Sequence, residues 1–314
     1  MSKHGIRWIV NPGDGTSLGQ VLVCAGADPD ALRDGRVFVG LRRAREASDL
    51  VKVGDAIVVA PPTAATDRTV AVLGQSDDLV AVDKPPGIPT IADHAGAVHS
   101  LQELAARALG IDSGRLHPTS RLDRDVSGVV IFATSSAGAA RLANARSTGA
   151  YSRRYVALAA RPVAPVRGVW TADIGRAKDP RLRCVDGRDP VPARTRYQTH
   201  AVSDIGPALL AVAPETGRTH QIRVHAAHAG APLLGDSVYG GPSRITLANG
   251  RVIAPRRIAL HAARVVVPDA RGRWWAVVSD IPEDLGAFGL ALGIEPSQWQ
   301  GAVSCELSSQ RSWL

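Results

Sequence analysis

The sequence predicts an α+β protein in which a mixed sheet forms the larger part and a small α/β unit precedes it. Three observations lead there. Strand-like and helix-like segments occur together without a regular strand–helix repeat, which disfavours a doubly wound sheet. A chain of 314 residues accommodates about two domains with a substantial core. Two prolines and small polar residues (Pro61 to Asp67, PPTAATD) then interrupt the chain directly after the apolar run Ala56 to Ala60. The expected division is a first unit over 1–66, a main domain over 67–300 and a tail over 301–314, with Val303 to Leu314 reading as loose.

In chain order, Ser17 to Ala25 (SLGQVLVCA) bunches its apolar residues at helical spacing, Ala31 to Arg36 offers a second short helix, and Arg36 to Gly40 reads as a strand. Val51 to Val59 (VKVGDAIVV) reads as two strands around a Gly-Asp turn. Beyond the seam, the apolar strand Asp78 to Val82 stops at Lys84-Pro85-Pro86-Gly87. Ser100 to Glu103 is a capping box that starts a helix, and Gly110 ends it. Val126 to Ala133 is a buried strand, followed by an Ala-rich helix over Ser136 to Arg146. Tyr155 to Ala160 and Ala208 to Val212 are further strands, and Thr219 to His228 is a short helix leaving a Gly-Arg turn. The chain contains no internal repeat and no low-complexity tract.

The composition, 45% apolar, is that of a water-soluble globular protein. No window approaches the roughly 18 apolar residues of a membrane span, and Met1 to Val10 lacks the basic start and apolar run of a signal peptide, so a cytoplasmic location is expected. Cys24, Cys184 and Cys305 lie far apart without a CxxC pair, which indicates neither a disulfide framework nor a thiolate zinc site. There are 37 Lys+Arg against 29 Asp+Glu, a net charge of +8, and only four of the 37 are Lys. Residues 1–75 contribute +1 of this and residues 76–314 the remaining +7. An Arg excess suits a nucleic-acid partner, because guanidinium groups fork onto phosphate and stack on bases; a GC-rich genome would also produce it.

Three clusters carry chemistry. In Pro118 to Ala133 (PTSRLDRDVSGVVIFA) a charged loop runs into a buried strand. Asp123 and Asp125 invite an acid/base or metal reading, whereas Arg121 and Arg124 beside them favour carboxylates that stay ionised in a salt-bridged turn. Pro214 to His228 (PETGRTHQIRVHAAH) places Arg218, His220 and Arg223 around a helix start, a good anion site. A zinc reading of its histidines is disfavoured, since five residues on a helix turn His220 and His225 about 140° apart and no HExxH-like carboxylate accompanies them. Tyr151 to Tyr155 (YSRRY) begins a strand, so Tyr155 is either a core aromatic or, with Arg153 and Arg154, a surface that stacks a base and binds its phosphate.

In this order and separation the clusters resemble the RNA pseudouridine synthases that modify uridines of large-subunit ribosomal and transfer RNA. Leu79 to Pro89 (LVAVDKPPGIP) looks like the family's opening strand and Lys-Pro turn. Arg121-Leu122-Asp123-Arg124-Asp125-Val126-Ser127-Gly128 looks like its signature loop, and Arg153-Arg154-Tyr155 like its basic-aromatic strand start. Gly217 to His225 (GRTHQIRVH) looks like its second signature, continued by Gly235-Asp236, Tyr239-Gly240 and Leu260-His261-Ala262, so that the likeness spans about residues 70–270. The first unit is similar to a small RNA-binding domain first known from ribosomal protein S4, through Asp34 to Val39 and Gly54-Asp55. The resemblance implies a largely antiparallel mixed sheet flanked by helices and loops. It makes Asp123 the catalytic carboxylate, places Tyr155 against the target base, pairs Arg223 with Asp123 and sends Arg121 into the helix where the uridine was. Arg124, Arg154, Arg218 and His220 would contact RNA. One departure stands out: the family usually has His directly before Arg-Leu-Asp, where this chain has Ser120, with His117 three positions earlier.

The implied activity is isomerisation of specific uridines in structured RNA, ribosomal or transfer RNA, by a monomer with no metal, nucleotide or redox cofactor; P-loop, GxGxxG and CxxC patterns are all missing. A non-catalytic RNA-binding or ribosome-assembly factor that keeps the fold is the alternative, with Ser120 as its main support. Hydrolysis of a glycosidic bond by Asp123 and Asp125 is weaker, because the flanking Arg would depress the pKa of the required acid.

Overall fold

The computed structural model describes residues 6–27, 31–32, 37–40, 42–44, 46–59, 69–92 and 100–307. The chain divides into two compact units, Met1–Thr69 with Ile91–Gly110, and Val70–Thr90 with Ile111–Leu314.

In the first unit, β1 (Ile6–Ile9), β2 (Val37–Val39), β3 (Arg42–Arg43) and β4 (Ala56–Val59) form an antiparallel sheet in the order β1-β4-β2-β3. Helix α1 (Leu18–Cys24) starts at Ser17, whose side chain and that of Gln20 cap each other's backbone. Leu18 and Val21 of this helix pack with Val10, Val37, Val51, Ile57 and Val59. Helix α2 (Leu101–Leu109) begins where Ser100 accepts from the Glu103 N–H, and it ends at Gly110, whose φ of 66° favours glycine. The strand expected at Val51 is not one. Lys52 to Asp55 is a turn closed by the Asp55 carboxylate on the Lys52 N–H, and Leu50 pairs with Ser17 only through an isolated bridge. Of the second helix expected here, Ala31 and Leu32 form a turn, and the rest lies outside the described residues, as do the Pro61 to Asp67 seam and Asp34 to Arg36 of the S4-like match.

The second unit holds β5 (Val72–Ser76), β6 (Leu79–Lys84), β7 (His117–Pro118), β8 (Ser127–Ala133), β9 (Ser152–Ala159), β10 (Arg167–Trp170), β11 (Ile174–Arg176), β12 (Arg183–Val185) and β13 (Arg188–Val191). Its chain continues through β14 (Thr195–Val202), β15 (Ala208–Pro214), β16 (Ile245–Thr246), β17 (Val252–Ile253), β18 (Leu260–Pro268) and β19 (Trp274–Val278). A ten-stranded sheet runs β10-β14-β15-β9-β18-β8-β6-β5, with β19 beside β18 and β7 beside β8. Its pairings are antiparallel except β18 with β8, where His261 and Ala262 lie opposite Ser127 and Gly128. The architecture is therefore α+β with a mixed, largely antiparallel sheet. At the parallel junction Gly128 has φ +115°, and a Cβ there would run into the Ala262 backbone, so only glycine fits.

Helix α3 (Ser136–Ser147) packs Leu142 and Ala145 on Leu79, Val129, Ile131 and Val265. Helices α5 (Glu283–Ala291) and α6 (Pro296–Ser304) cover Val156, Leu158 and Leu209 with Leu285, Phe288 and Trp299. The expected tail at 301–314 is corrected over 301–307, since α6 extends to Ser304, and Ala302 and Leu307 are buried in the same core; residues 308–314 lie outside the described residues. Apolar burial gives these residues a reason to be ordered that their low periodicity conceals. Helix α4 (Gln221–His228) begins two residues later than expected, because His220 takes a left-handed φ of 57° and cannot be its first turn.

Candidate active site

The site is assembled from a loop, the start of α4 and the turn from Asp236 to Tyr239. The first, 119–126, joins β7 to β8 and is held from beneath by a buried cation. Lys84, fully buried at the end of β6, donates to the carbonyls of Pro85, Arg124 and Val126 at 3.1, 2.8 and 2.7 Å. Burial pulls its pKa down to about 7 against the opposing charges of Asp125 and Asp123. Thr90 clamps the same loop, accepting from the Leu122 N–H at 3.0 Å and donating to its carbonyl at 3.1 Å. With both ends pinned, the Asp123 carboxylate is set toward the second signature.

There Arg223, one turn into α4 and 5% exposed, donates from Nη1 to Asp123 Oδ2 at 2.9 Å. Its other edge forks onto the buried Asp236, Nε to Oδ2 at 2.7 Å and Nη2 to Oδ1 at 2.8 Å. Burial works against the Arg223 charge, but hydrogen bonds and charge from Asp236, then from Asp123, outweigh it and raise the pKa above its ordinary value. One guanidinium thus carries two carboxylates, the inner one fully paired and the outer one partly open, with a side chain 26% exposed.

Two aromatic residues complete the enclosure. The Tyr239 ring lies 4.9 Å from the Arg223 guanidinium, and its hydroxyl meets His220 Nδ1 at 2.7 Å while accepting from the Arg183 N–H. His220 Nε2 stands 3.9 Å from Asp123 Oδ2. Burial, against the pull of Asp123, lowers the His220 pKa and favours the neutral ring. Tyr155 is 7% exposed in β9 between Val212 and Ala262. Burial raises its pKa, and Arg153, Tyr151, Asp123 and Arg146 are the charges it senses.

The structure therefore brings together Asp123, Arg223 and His220, and Tyr155 is buried in β9. Arg121 and Arg124 are exposed on the first loop, Arg124 donating to the Gly87 carbonyl at 3.3 Å. Arg218 is exposed at the second and donates to the Pro192 carbonyl. Arg154 is a correction. As the neighbour of Tyr155 on a strand it points to the other face, where it donates to Cys305 Sγ at 3.1 Å. Asp125 is exposed and does not share the Arg223 contact, so the two aspartates are not one site. His225 is taken up by Thr195 and the Ala172 carbonyl, and no group of His, Cys, Asp and Glu suited to a metal occurs among the described residues. Sequence reasoning assigned no role to Lys84, Asp236 or Tyr239, although all three lie in segments that carried the resemblance.

Such a site presents a partly exposed carboxylate beside a cation that it shares with a second, buried carboxylate, with the Tyr239 ring against that cation. The family described as RNA pseudouridylate synthase matches residues 78–228, which contain both signatures. A ribosomal large subunit pseudouridine synthase D of Xanthomonas campestris is 30% identical over 280 residues, covering 84% of this chain and 81% of the relative. An uncharacterised RNA pseudouridine synthase of Bacillus subtilis is 30% identical over 207 residues, 61% of this chain and 71% of the relative. One of Chloroflexus aurantiacus is 40% identical over 177 residues, 55% of this chain and 52% of the relative, so that the match spans about half that protein's length. The fold is shared with the human RNA pseudouridylate synthase domain containing 1, at a TM-score of 0.56 and 23% identity over 70% of this chain and 87% of that one. The chain belongs to the RNA pseudouridine synthase family, enzymes that isomerise uridine in RNA to pseudouridine.

Proposed function

We propose that the protein isomerises uridines of ribosomal RNA, with Asp123 as the reacting group, Arg223 as the cation that keeps it charged, and Tyr155 as the surface against which the base lies. The observation that carries the reading is the Asp123–Arg223–Asp236 arrangement, one guanidinium held rigidly by an inner carboxylate and offering its remaining edge to an outer one. Breaking the C1′–N1 bond and joining C1′ to C5 needs an ionised carboxylate, either to attack C1′ or to take the 2′ proton. When the substrate fills the site and expels water, a lone carboxylate would be costly by several kcal/mol, and Arg223 offsets that cost. The uracil is never released, so a closed aromatic wall is needed to hold it while it turns. Tyr155 and Tyr239 suit that wall.

A stacked uridine hides C1′ and C5, so the base is flipped out at a cost of a few kcal/mol. Arg121 enters the gap, a role that its exposure two residues before Asp123 supports. Exposed Arg124 and Arg218 on the two flanking loops serve phosphate contacts, and His220, neutral beside Asp123, contributes a hydrogen-bonding wall. The small sheet and helix over Ile6–Val59 act as an accessory RNA-binding element, an S4-like role. Ribosomal RNA is favoured because the Xanthomonas relative is named for it. A cytoplasmic monomer fits this role, and no helix among the described residues is long and apolar enough to cross a membrane.

Asp123→Ala should abolish pseudouridine formation while leaving the RNA Kd within about a factor of ten, since phosphate contacts dominate affinity. Mapping of pseudouridine in ribosomal RNA from a deletion strain, with and without purified enzyme, reads this out. Conversion by the Ala variant would remove Asp123 from the chemistry, and no new site with the wild-type enzyme would favour a scaffold.

A further inference from the structure

We infer that Arg146 and Arg153 form a binding site for a backbone phosphate of the RNA, directly over Gly217. Several arginines of the second unit have a carboxylate: partly buried Arg141 pairs with Asp78, Arg196 with Glu215 and Arg257 with Asp284. Among the described residues, neither Arg146 nor Arg153 has one. Instead the two guanidinium groups flank the Tyr151 ring, 6.0 and 5.9 Å from its centroid. Arg146 Nη1 donates to the Thr119 carbonyl, and Arg153 Nη2 donates to the carbonyls of Pro214 at 3.1 Å and Thr216 at 2.8 Å. Those bonds fix the two groups but consume only one nitrogen of each. The remaining terminal nitrogens converge on one place. A Cβ built on Gly217 would lie 2.7 Å from Arg146 Nη2 and 3.5 Å from Arg153 Nη1.

Gly217 is exposed and bears no side chain, so this spot is open to solvent with unused donors on two sides. Two like charges held together without a counter-ion repel, and partial desolvation followed by the Arg153 charge lowers the Arg146 pKa. A bound anion removes the repulsion and uses the free donors. Guanidinium forks match phosphate oxygens better than any other anion the RNA offers. The location fits that ligand: Thr119 opens the Asp123 loop, and Thr216 precedes the turn that leads to Arg223, so a phosphate here lies beside the flipped nucleotide.

The inference rests on reading Asp123 as the reacting centre, and the two can fail separately. Anisotropy of a fluorescein-labelled oligouridine is measured across about 50–200 mM salt for each variant. Arg146→Gln should weaken binding about tenfold at low salt and make the slope of log K against log salt shallower by about 0.7, the value for one lost contact on a single strand. Arg146→Lys should keep the slope, and Asp123→Ala should keep it too. A neutral methylphosphonate at the contacted position should cost the wild type what Arg146→Gln costs and cost that variant nothing more. The site is overturned if Arg146→Gln keeps the wild-type slope, or if its weaker binding follows a lowered Tm at unchanged slope. Pseudouridine made by Asp123→Ala would sink the reacting-centre reading and leave the slope result standing.

Discussion

Arg223 holds two carboxylates in fixed directions, and no other side chain can take both. Lysine would keep the charge but has no planar fork, so it can serve Asp236 or Asp123 without orienting both. Arg223→Lys should therefore reduce kcat by about a hundredfold or more at nearly unchanged KM, because the interaction lost is the one that matters as charge moves at the sugar. Single-turnover kinetics at saturating RNA test it, and a rise in KM alone would reassign Arg223 to binding. At this scale the sequence was legible where several residues formed a signature: Asp123 and Arg223 lie within hydrogen-bond distance, whereas nothing in the sequence announced that His220 stands beside Asp123. It was misread at Arg154, where strand alternation turns the side chain away from Tyr155. Lys84 passed as part of a Lys-Pro turn, since nothing in its neighbours announces that its ammonium is buried on three carbonyls.

The elements that place these residues depend on one parallel junction, and a histidine sits in it. His261 of β18 is fully buried, its Nδ1 2.9 Å from Ser127 Oγ of β8 and its Nε2 3.4 Å from the Ser279 carbonyl. Burial pulls its pKa down to about 4, so the folded protein holds it neutral while the unfolded chain takes up a proton near pH 6.5. The resulting stability is complete above about pH 6.5 and is lost as pH falls toward 4, by about 3 kcal/mol from this group alone. Denaturant melts at a series of pH values should show that slope in the wild type and a shallower one in His261→Gln; equal slopes would discount the residue. Of the strands that pattern reading found, β8 has every residue buried. Several of those it left unassigned lack that signal. All four residues of β13 are exposed, and the inward positions of β14 include Thr195 and Thr199 beside Tyr197 and Ala201, which dilutes the apolar alternation.

Across the whole molecule, the helices that end the chain brace the sheet that carries Tyr155. Trp299 of α6 is 3% exposed and lies so close to Gly289 of α5 that a Cβ there would be 2.8 Å from its ring. Trp299→Ala should cost about 3–5 kcal/mol and lower the Tm by roughly 10 °C, measured by thermal melting, and a Tm within a degree or two would mean that α6 is dispensable. That the last helix belongs to the core was hidden from sequence reading because α5 is rich in Gly and Ala and α6 begins at a proline. The buried Lys84 has one more use. The chain has only four lysines, and Lys52 and Lys178 are exposed, so an amine-reactive reagent should label those at once and reach Lys84 only when the floor under the aspartate loop opens. Labelling of a single peptide, followed over time with and without RNA, would then serve as a built-in clock for the opening of that loop.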